Sequence, residues 1–463
     1  MSIQKKRLKL MGGVALATAA ILITASCGSK TTADPTTTVA TPLSADTTTT
    51  VDSATTDGAP ETTAAPTGPV GKSEGVGVTD TTIKLGIIVE DYPTDNTTPF
   101  FFRKDGNAAV KALVADINAK GGIAGRQIEL VTYDFSVITD SHEACLKLVN
   151  QEKVFAIISG YATTASNDCF MKDGKTPVID VNALTDAGNA SYAGYHMTPS
   201  PTFDRSAKDW VYGANDLGMF DPAKGFKKLG VVSTSCEASI WDDPAKGIKH
   251  WLETVGVTSD KISEFRADCA LESLLAAHEQ ALLKHSQDGV NVTMIAAQPV
   301  DRNYTALAHK QGFKTQYIWG DFHYATQSAN AQSLMQDEVD GSYGITAFRQ
   351  DILAPAAKAC DAVVQAAGLP AFTVIQTDLL VMNYCTDLNI FKAVVEKAAA
   401  SGTLSQASFV AAAPTVGKIA SAVELSVDFT GDTSGGEEFI VVKWSKATTA
   451  WIQEGDVKKS FYS

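Results

Sequence analysis

Cysteine is the residue type whose chemistry the sequence specifies most clearly. No Cys-x-x-Cys pair occurs, and the seven histidines are scattered without a His-Glu-x-x-His pattern, so the spacing predicts no metal site. If Cys27 is set aside, six cysteines remain, an even number that favours disulfides in an exported chain and leaves free thiols as the alternative. The seven are Cys27, Cys145, Cys169, Cys236, Cys269, Cys360 and Cys385.

The sequence also lacks the motifs of common enzymes. It has no Gly-x-Ser-x-Gly, no complete phosphate-binding loop and no metal-ligand spacing. Acidic pairs such as Asp242-Asp243 fit solvated charges or helix caps. Lys and Arg total 38 against 52 Asp and Glu, a net charge of −14, and no basic run follows the first nine residues, which argues against nucleic acid. We therefore predict no enzyme activity, no cofactor, no metal and no nucleic-acid partner.

The first 75 residues are predicted to be a secretory targeting signal followed by a disordered tether. Four basic residues precede the apolar run Leu10–Ala25, which is short for a membrane span and typical of a secretory signal. The run ends at Thr24-Ala25-Ser26-Cys27, which resembles the lipobox of bacterial lipoproteins; an ordinary signal peptide with an incidental cysteine is the alternative. We predict a signal peptide over 1–26, a lipidated Cys27, and a disordered Thr/Pro/Ala-rich tether through residue 75.

The rest of the chain alternates apolar strands with helices. This alternation is typical of parallel sheets with helices on both faces, and two sets of about five strands predict two α/β lobes. Ligands in such folds bind in the crevice outside the carboxyl ends of the strands. Strands are predicted over 83–89, 127–133, 154–159, 177–181, 228–233, 261–266, 290–295, 315–319 and 341–347. Helices are predicted over 108–117, 140–149, 244–253, 271–286 and 304–309.

Two segments near the start of this region resemble a known family. Gly77–Gly86 (GVTDTTIKLG) resembles the opening of type I periplasmic binding proteins, in particular the leucine/isoleucine/valine-binding branch. Val114–Leu130 (VADINAKGGIAGRQIEL) is similar to that branch's first helix, turn and second strand, and Lys314–Gly320 continues the similarity. The resemblance implies an α/β fold of two doubly wound parallel-sheet lobes joined by three crossovers.

The resemblance also implies a division of the chain and a function. The first lobe would comprise 76–199 and 350–428, the second 200–348 and 437–463, with crossovers near 198–203, 346–350 and 428–435. The protein would be an extracytoplasmic lipoprotein, held at the cell membrane by its lipid. It would capture a small amino-acid-like or carboxylate/amide solute by lobe closure for an ABC permease. A tethered ligand sensor with no transport role is the alternative, because a fold does not specify a partner.

Ligand-binding positions on the first lobe are carried over from the family. There, hydroxyls and backbone groups hold the carboxylate of a small amino acid, and Thr163 and Thr164 match that position after the third strand. Asn182 and Thr185 match a second loop, after the fourth strand. Tyr92 is predicted to contact the ligand from the loop after the first strand, which departs from the family's small, Gly-rich segment. In the same loop the run Phe100-Phe101-Phe102 is predicted to line a larger apolar pocket, with packing on the sheet edge or at an interface as the alternative. Helix capping is the alternative role for the threonines.

On the second lobe, three further residues are predicted to contact the ligand. Trp241 corresponds to an aromatic side chain that packs on the ligand, and Gln298 follows a central strand. Asp321 resembles the acidic partner of the ligand's ammonium, which it would hold by a charge-assisted hydrogen bond. The alternatives are a packing role for Trp241 and a helix cap for Asp321.

The element map favours pairing the six cysteines in sequential order. We predict the disulfides Cys145–Cys169, Cys236–Cys269 and Cys360–Cys385, each of which would stabilise the protein by on the order of 3 kcal/mol. Mass mapping of peptides from the non-reduced protein should recover these three pairs. A peptide that joins Cys145 to any cysteine other than Cys169 would overturn the scheme.

Overall fold

The computed structural model describes residues 68–90, 103, 105–135, 141–159, 167–181, 183–234, 242–267, 271–296, 300–320, 339–373, 375–448 and 450–462. The predicted signal peptide and the tether as far as residue 67, with Cys27, lie outside this part. The described strands are β1 Lys72–Ser73, β2 Thr82–Glu90, β3 Gln127–Phe135, β4 Ala156–Ser159, β5 Val178–Asp180, β6 His196–Met197, β7 Leu229–Thr234, β8 Ile262–Ala267, β9 Val292–Ile295, β10 Gln316–Trp319, β11 Tyr343–Thr346, β12 Thr403–Leu404, β13 Glu438–Ser445 and β14 Ala450–Lys459.

Helices separate most of these strands. Residues 141–151 form a short α-helix that continues as a π-helical turn over Leu146–Gln151, and a second π-helical segment spans Asp168–Asp173. The α-helices are α1 Gly106–Ala119, α2 Ser141–Cys145, α3 Asp186–Ser191, α4 Phe203–Asp216, α5 Asp242–Thr254, α6 Leu271–Asp288, α7 Val300–Lys310, α8 Pro355–Ala366, α9 Ile375–Ala400 and α10 Gln406–Ala412. Among the described residues, no helix is both long and apolar enough to cross a bilayer.

The first lobe is built on a five-stranded sheet. Its strand order is β3-β2-β4-β5-β6, and all neighbours are parallel. Apolar clusters cover both faces: one contains α1, α8 and α9, and the other contains residues from the 141–173 region. A sheet buried on both faces needs continuous apolar runs, and Ala156–Ser159 and Val178–Asp180 are completely buried.

The second lobe is built on a seven-stranded sheet of order β14-β13-β11-β10-β9-β7-β8. Its strands from β7 to β11 are parallel, as predicted, and two apolar clusters again cover the two faces. The sequence interpretation missed its last two strands. They form an antiparallel hairpin that joins the sheet through β11. The fold class, two doubly wound α/β lobes, is confirmed, with this hairpin as an addition.

Three chain segments cross between the lobes, and backbone hydrogen bonds hold them together. The segment after β6 pairs with the segment before β13: Thr198 N donates to Thr433 O at 2.9 Å, and Gly435 N donates to Thr198 O at 2.9 Å. The third segment follows β11, where Leu425 N donates to Ala347 O at 2.9 Å. A Cβ on Gly436 would collide with Pro201, so the crossovers pack too closely for any other residue there.

Two of the three predicted disulfides fall within the described residues. Cys145 and Cys169 are joined with their Cα atoms 6.2 Å apart, and Cys360 is joined to Cys385 across α8 and α9 at the same Cα separation. The third pair, Cys236 and Cys269, lies outside the described residues. Thr234 on β7 and Ala267 on β8 lie side by side in the sheet. Cys236 comes two positions after Thr234, and Cys269 comes two positions after Ala267. That register agrees with the predicted pair, which stays a prediction.

Arg126 fastens the amino-terminal segment to the first lobe. Its fully buried guanidinium donates to the carbonyl oxygens of Val70 (2.8 Å), Gly71 (2.8 Å) and Thr79 (2.9 Å), and to Ser73 Oγ. Arg126 precedes β3, so this segment joins the lobe at the amino edge of the sheet, opposite the strands' carboxyl ends. The motif that carries the family resemblance thus has a structural role at its arginine.

We expect Arg126→Met to loosen this attachment. The substitution leaves several carbonyl oxygens without their charged donor, and the free energy of unfolding should fall by about 2–4 kcal/mol. Urea unfolding measures that loss, and limited proteolysis should cut the variant between residues 68 and 80. Lys120→Met is the matched control, since Lys120 is mostly exposed and pairs only with Asp116. Equal stability and equal protease resistance of Arg126→Met and the parent protein would contradict this role.

Candidate functional site

The candidate site is the crevice at the carboxyl ends of the two parallel sheets. In the first sheet the register aligns Ile88, Ser159 and Asp180 across β2, β4 and β5, so the loops after these strands leave at one edge. In the second sheet Ile295 and Trp319 are aligned on β9 and β10 in the same way. Parallel strands place the loops that follow them together, and these are the loops where ligands bind in such folds.

Most of the predicted ligand-binding residues belong to these loops and lie outside the described residues. The described strands nevertheless specify which strand each loop follows. Tyr92 comes after β2, the two threonines after β4, Trp241 immediately before α5, Gln298 after β9 and Asp321 after β10. The predicted ligand-binding residues outside the described part are Tyr92, Thr163, Thr164, Asn182, Trp241, Gln298 and Asp321.

Thr185 is the predicted ligand residue that the structure describes. It is 6% exposed and is the N-cap of α3, where its Oγ1 accepts a hydrogen bond from Gly188 N at 2.9 Å. Thr185 therefore caps a helix, which is the alternative role given above for the threonines. A role for Thr185 in ligand binding stays a prediction. The cap uses this hydroxyl oxygen as an acceptor, so the bond to Gly188 N does not engage the O–H as a donor.

The segment after β5 contacts the second lobe directly. Phe203 N donates to Leu184 O at 3.0 Å, and Asp186 N donates to the Asp204 carboxylate at 2.7 Å. The Tyr462 hydroxyl also donates to the Asp186 carboxylate, which raises the pKa of that phenol to about 12. These bonds tie the first-lobe loop to α4 and to Tyr462.

A buried polar network continues from this loop into the crossovers. His196 Nδ1 lies 3.0 Å from Asn189 Oδ1, and Asn189 Nδ2 donates to Thr433 Oγ1 at 3.1 Å. Ser200 Oγ donates to Val181 O at 3.1 Å. Burial lowers the pKa of His196 to about 3, so its imidazole is neutral at physiological pH. The network therefore depends on an uncharged histidine.

The loop after β10 begins at a glycine for a steric reason. A Cβ on Gly320 would lie 3.0 Å from the ring of Trp210, which is completely buried on α4. The Trp-Gly pair at residues 319 and 320 thus lets the chain pass over this ring just before Asp321. This contact positions the start of the loop that is predicted to carry the ammonium partner.

Three acidic side chains near the same edge of the first sheet are completely buried, and the sequence analysis did not select them. Asp180 ends β5, Asp387 lies in the middle of α9 and Glu424 lies in the segment that pairs with the crossover after β11. Desolvation raises the pKa of Asp387 well above its ordinary value and that of Glu424 to about 7. The one feature of the sequence that could have indicated these buried carboxyl groups is an acidic residue within or at the end of an apolar run, as in Val-Ile-Asp at 178–180.

A groove of about 690 Å³ lies elsewhere on the first lobe, between α1, α8 and α9. Its lining includes Val70, the turn Gly121–Gly125 and the disulfide Cys360–Cys385. The turn precedes β3, so the groove opens at the amino edge of the sheet, away from the candidate crevice. Within the described ranges, no group of three or more His, Cys, Asp or Glu side chains is placed to hold a metal ion.

This two-lobed geometry agrees with a sequence-family assignment. Residues 82–449 match the periplasmic binding protein family over most of the chain. The chain therefore belongs to that family, and its fold is the type I periplasmic binding protein fold. No curated protein is similar enough in sequence to be matched.

Solved structures of low sequence identity share the fold. A fatty acid ABC transporter substrate-binding protein from Thermomonospora curvata is 19% identical with a TM-score of 0.61, over 85% of this chain and 95% of that one. A branched-chain amino acid ABC transporter protein from Thermus thermophilus with bound valine is 16% identical with a TM-score of 0.60, over 82% and 97%. A solute-binding protein from R. palustris in complex with 4-hydroxybenzoate is 16% identical with a TM-score of 0.61, over 82% and 97%.

We expect His196 to limit stability in acid. Its folded-state pKa of about 3 lies below the ordinary value of 6.5, so the unfolded chain binds more protons between these values. Stability should therefore rise with pH from about 3 to 6.5, by up to a few kcal/mol from this group alone. His196→Gln should flatten that part of a urea-unfolding series, while His142→Gln, at an exposed histidine, should not. An unchanged slope in His196→Gln would contradict the assignment.

Proposed function

We propose that this protein is an extracytoplasmic solute-binding lipoprotein of an ABC importer. The observation that carries the proposal is the pair of parallel sheets, joined by three paired crossovers, whose carboxyl edges are followed by the loops predicted to bind the solute. The family match and the ABC transporter proteins among its structural neighbours support it. The leucine/isoleucine/valine-binding branch is the relative that the sequence motifs favour.

The solute is proposed to be a small amino-acid-like molecule or another carboxylate or amide. Thr163 and Thr164 follow β4 and would present hydroxyls and backbone N–H groups to a carboxylate. Asp321 would bind an ammonium, and Trp241 would pack on the apolar part. Valine and 4-hydroxybenzoate, which neighbours of this fold bind, both carry a carboxylate, and only valine carries an ammonium.

Solute capture follows from a difference in binding between open and closed lobes. A solute that contacts loops of both sheets has more contacts in the closed form, and this difference alone drives closure. The crossovers keep the lobes attached while they move. Lipid on Cys27 would keep the protein at the membrane near a permease. The predicted tether would serve as the spacer only as far as residue 67, because Arg126 and β12 hold residues 70–73 on the first lobe. A sensor in place of a permease would use the same crevice, and co-purification with permease subunits distinguishes the two.

A thermal-shift screen with valine, leucine, 4-hydroxybenzoate and octanoate tests the ligand class. A true ligand at 100 times its Kd should stabilise the protein by ~2.7 kcal/mol. Asp321→Ala should then weaken binding of an amino acid by roughly ten- to a hundredfold, since it removes a charge-assisted hydrogen bond. The same variant should spare 4-hydroxybenzoate, which has no ammonium, whereas Trp241→Ala should weaken either ligand.

Asp456→Ala, at an exposed carboxylate on β14, is the matched control for that screen. If a confirmed ligand keeps its affinity in both Asp321→Ala and Trp241→Ala, the assigned crevice residues are wrong. If 4-hydroxybenzoate loses as much affinity as valine in Asp321→Ala, the residue has a role other than ammonium binding.

A further inference from the structure

Asp387 is a buried carboxyl group that the proposed function does not use. It lies completely buried on α9, and among the described residues neither of its oxygens has a hydrogen-bond partner. Asn383, one helical turn earlier and on the same face, is buried as well and its Oδ1 also lacks a partner. Unpartnered buried polar groups cost free energy, so two on one helix face call for an explanation beyond packing.

The groups around Asp387 make a carboxylate at this position unfavourable. Burial raises the pKa of Asp387 well above its ordinary value, and charge repulsion from Glu424 and Asp180 raises it further. Glu424 itself accepts a hydrogen bond from Ser421 Oγ at 2.5 Å, and Arg349 is the cation whose charge acts on it. Among the described residues, the polar and charged groups on the elements packed here include Asp180 from β5, Asn383 and Thr386 from α9, Ser421 from the segment 418–428, and Arg349 from the crossover.

Glu424 connects this cluster to the crossover that enters from the second sheet. Glu424 and Phe348 form an antiparallel bridge. Next to the bridge, Leu425 N donates to Ala347 O and Arg349 N donates to Val423 O, both at 2.9 Å. On the other side, Ala422 N donates to Thr386 Oγ1 of α9 at 3.0 Å. These bonds link the crossover after β11, through the 421–425 segment, to the turn of α9 that holds Thr386 and Asp387.

We propose that Asp387 and Glu424 are a proton-binding pair that couples pH to movement of the lobes, with the closed crossover holding the protonated form. Burial raises both pKa values, to about 7 for Glu424. An opened crossover admits water and returns each group toward its ordinary pKa, so opening releases protons. Opening should then become more favourable as pH rises from about 5 to 7. This inference rests on the proposed function in one respect, which is that the lobes move relative to each other when a solute is captured.

Hydrogen–deuterium exchange of the solute-free protein tests the coupling without any ligand. After correction for intrinsic rates, exchange in 346–350 and 418–428 should accelerate with pH by up to about tenfold per unit between 5 and 7. Peptides from β2 should not follow. Asp387→Asn and Glu424→Gln should each reduce the slope, and Asp456→Asn, an exposed carboxylate, should keep it. Two variants are used so that one can carry the test if the other does not fold.

Infrared difference spectroscopy supplies the direct readout of protonation. The parent protein at neutral pH should show the carbonyl band of a protonated carboxylic acid, and this band should weaken in Asp387→Asn. The proposal is overturned if the band is absent or unchanged in the variants, if both variants keep the parent slope, or if β2 accelerates equally, which would indicate global unfolding. None of these outcomes depends on whether the protein binds an amino acid, so failure here leaves the proposed function intact.

Discussion

The backbone hydrogen bonds among the three crossovers are the constraint on which the rest of the structure depends. Because the chain passes between the lobes three times, neither lobe is formed by one continuous segment. The first lobe covers its sheet with the later helices α8 and α9, and the second adds β13 and β14 to its sheet. Thr198 bonded to both Thr433 and Gly435 holds two of these passages in register. The third is held by Leu425 on Ala347. The crossovers thus keep the two lobes attached to each other next to the carboxyl edges of their sheets.

The parallel arrangement of the strands explains why function in this fold is located in loops. The parallel strands of the two large sheets are covered on both faces by apolar clusters, so side chains within those strands are used mainly for packing. Only the strand ends are free to present polar groups to a solute. Asp180, at the end of β5, shows how abruptly this change occurs, since it follows two fully buried apolar residues. The buried carboxyls behind that edge then lie between the loops and the crossovers.

The sequence predicted elements where one physical signal dominated. Residues 154–158 (VFAII) are an uninterrupted apolar run that includes most of β4, and α1 is followed by Gly121-Gly122, where a Cβ on Gly122 would collide with Arg126 O. The strand β14 was missed because most of its residues are exposed and four of its ten are charged. Its sequence therefore lacks the alternation of apolar and polar residues that indicates a strand, although it pairs with β13. Asp387 was missed for a related reason: a lone carboxylate in a helix resembles a solvated face until its packing partners are known.

The central claim is that a single solute binds between the carboxyl edges of the two sheets and holds the lobes closed. The most direct measurement is a crystal structure of the exported protein with its co-purified solute, beside one of the same protein after the solute has been removed. We expect electron density for the solute between the loops after β4, β5, β9 and β10, and lobes that are further apart without it. A solute bound only in the groove between α1, α8 and α9, or lobes in the same relation in both crystals, would contradict the claim.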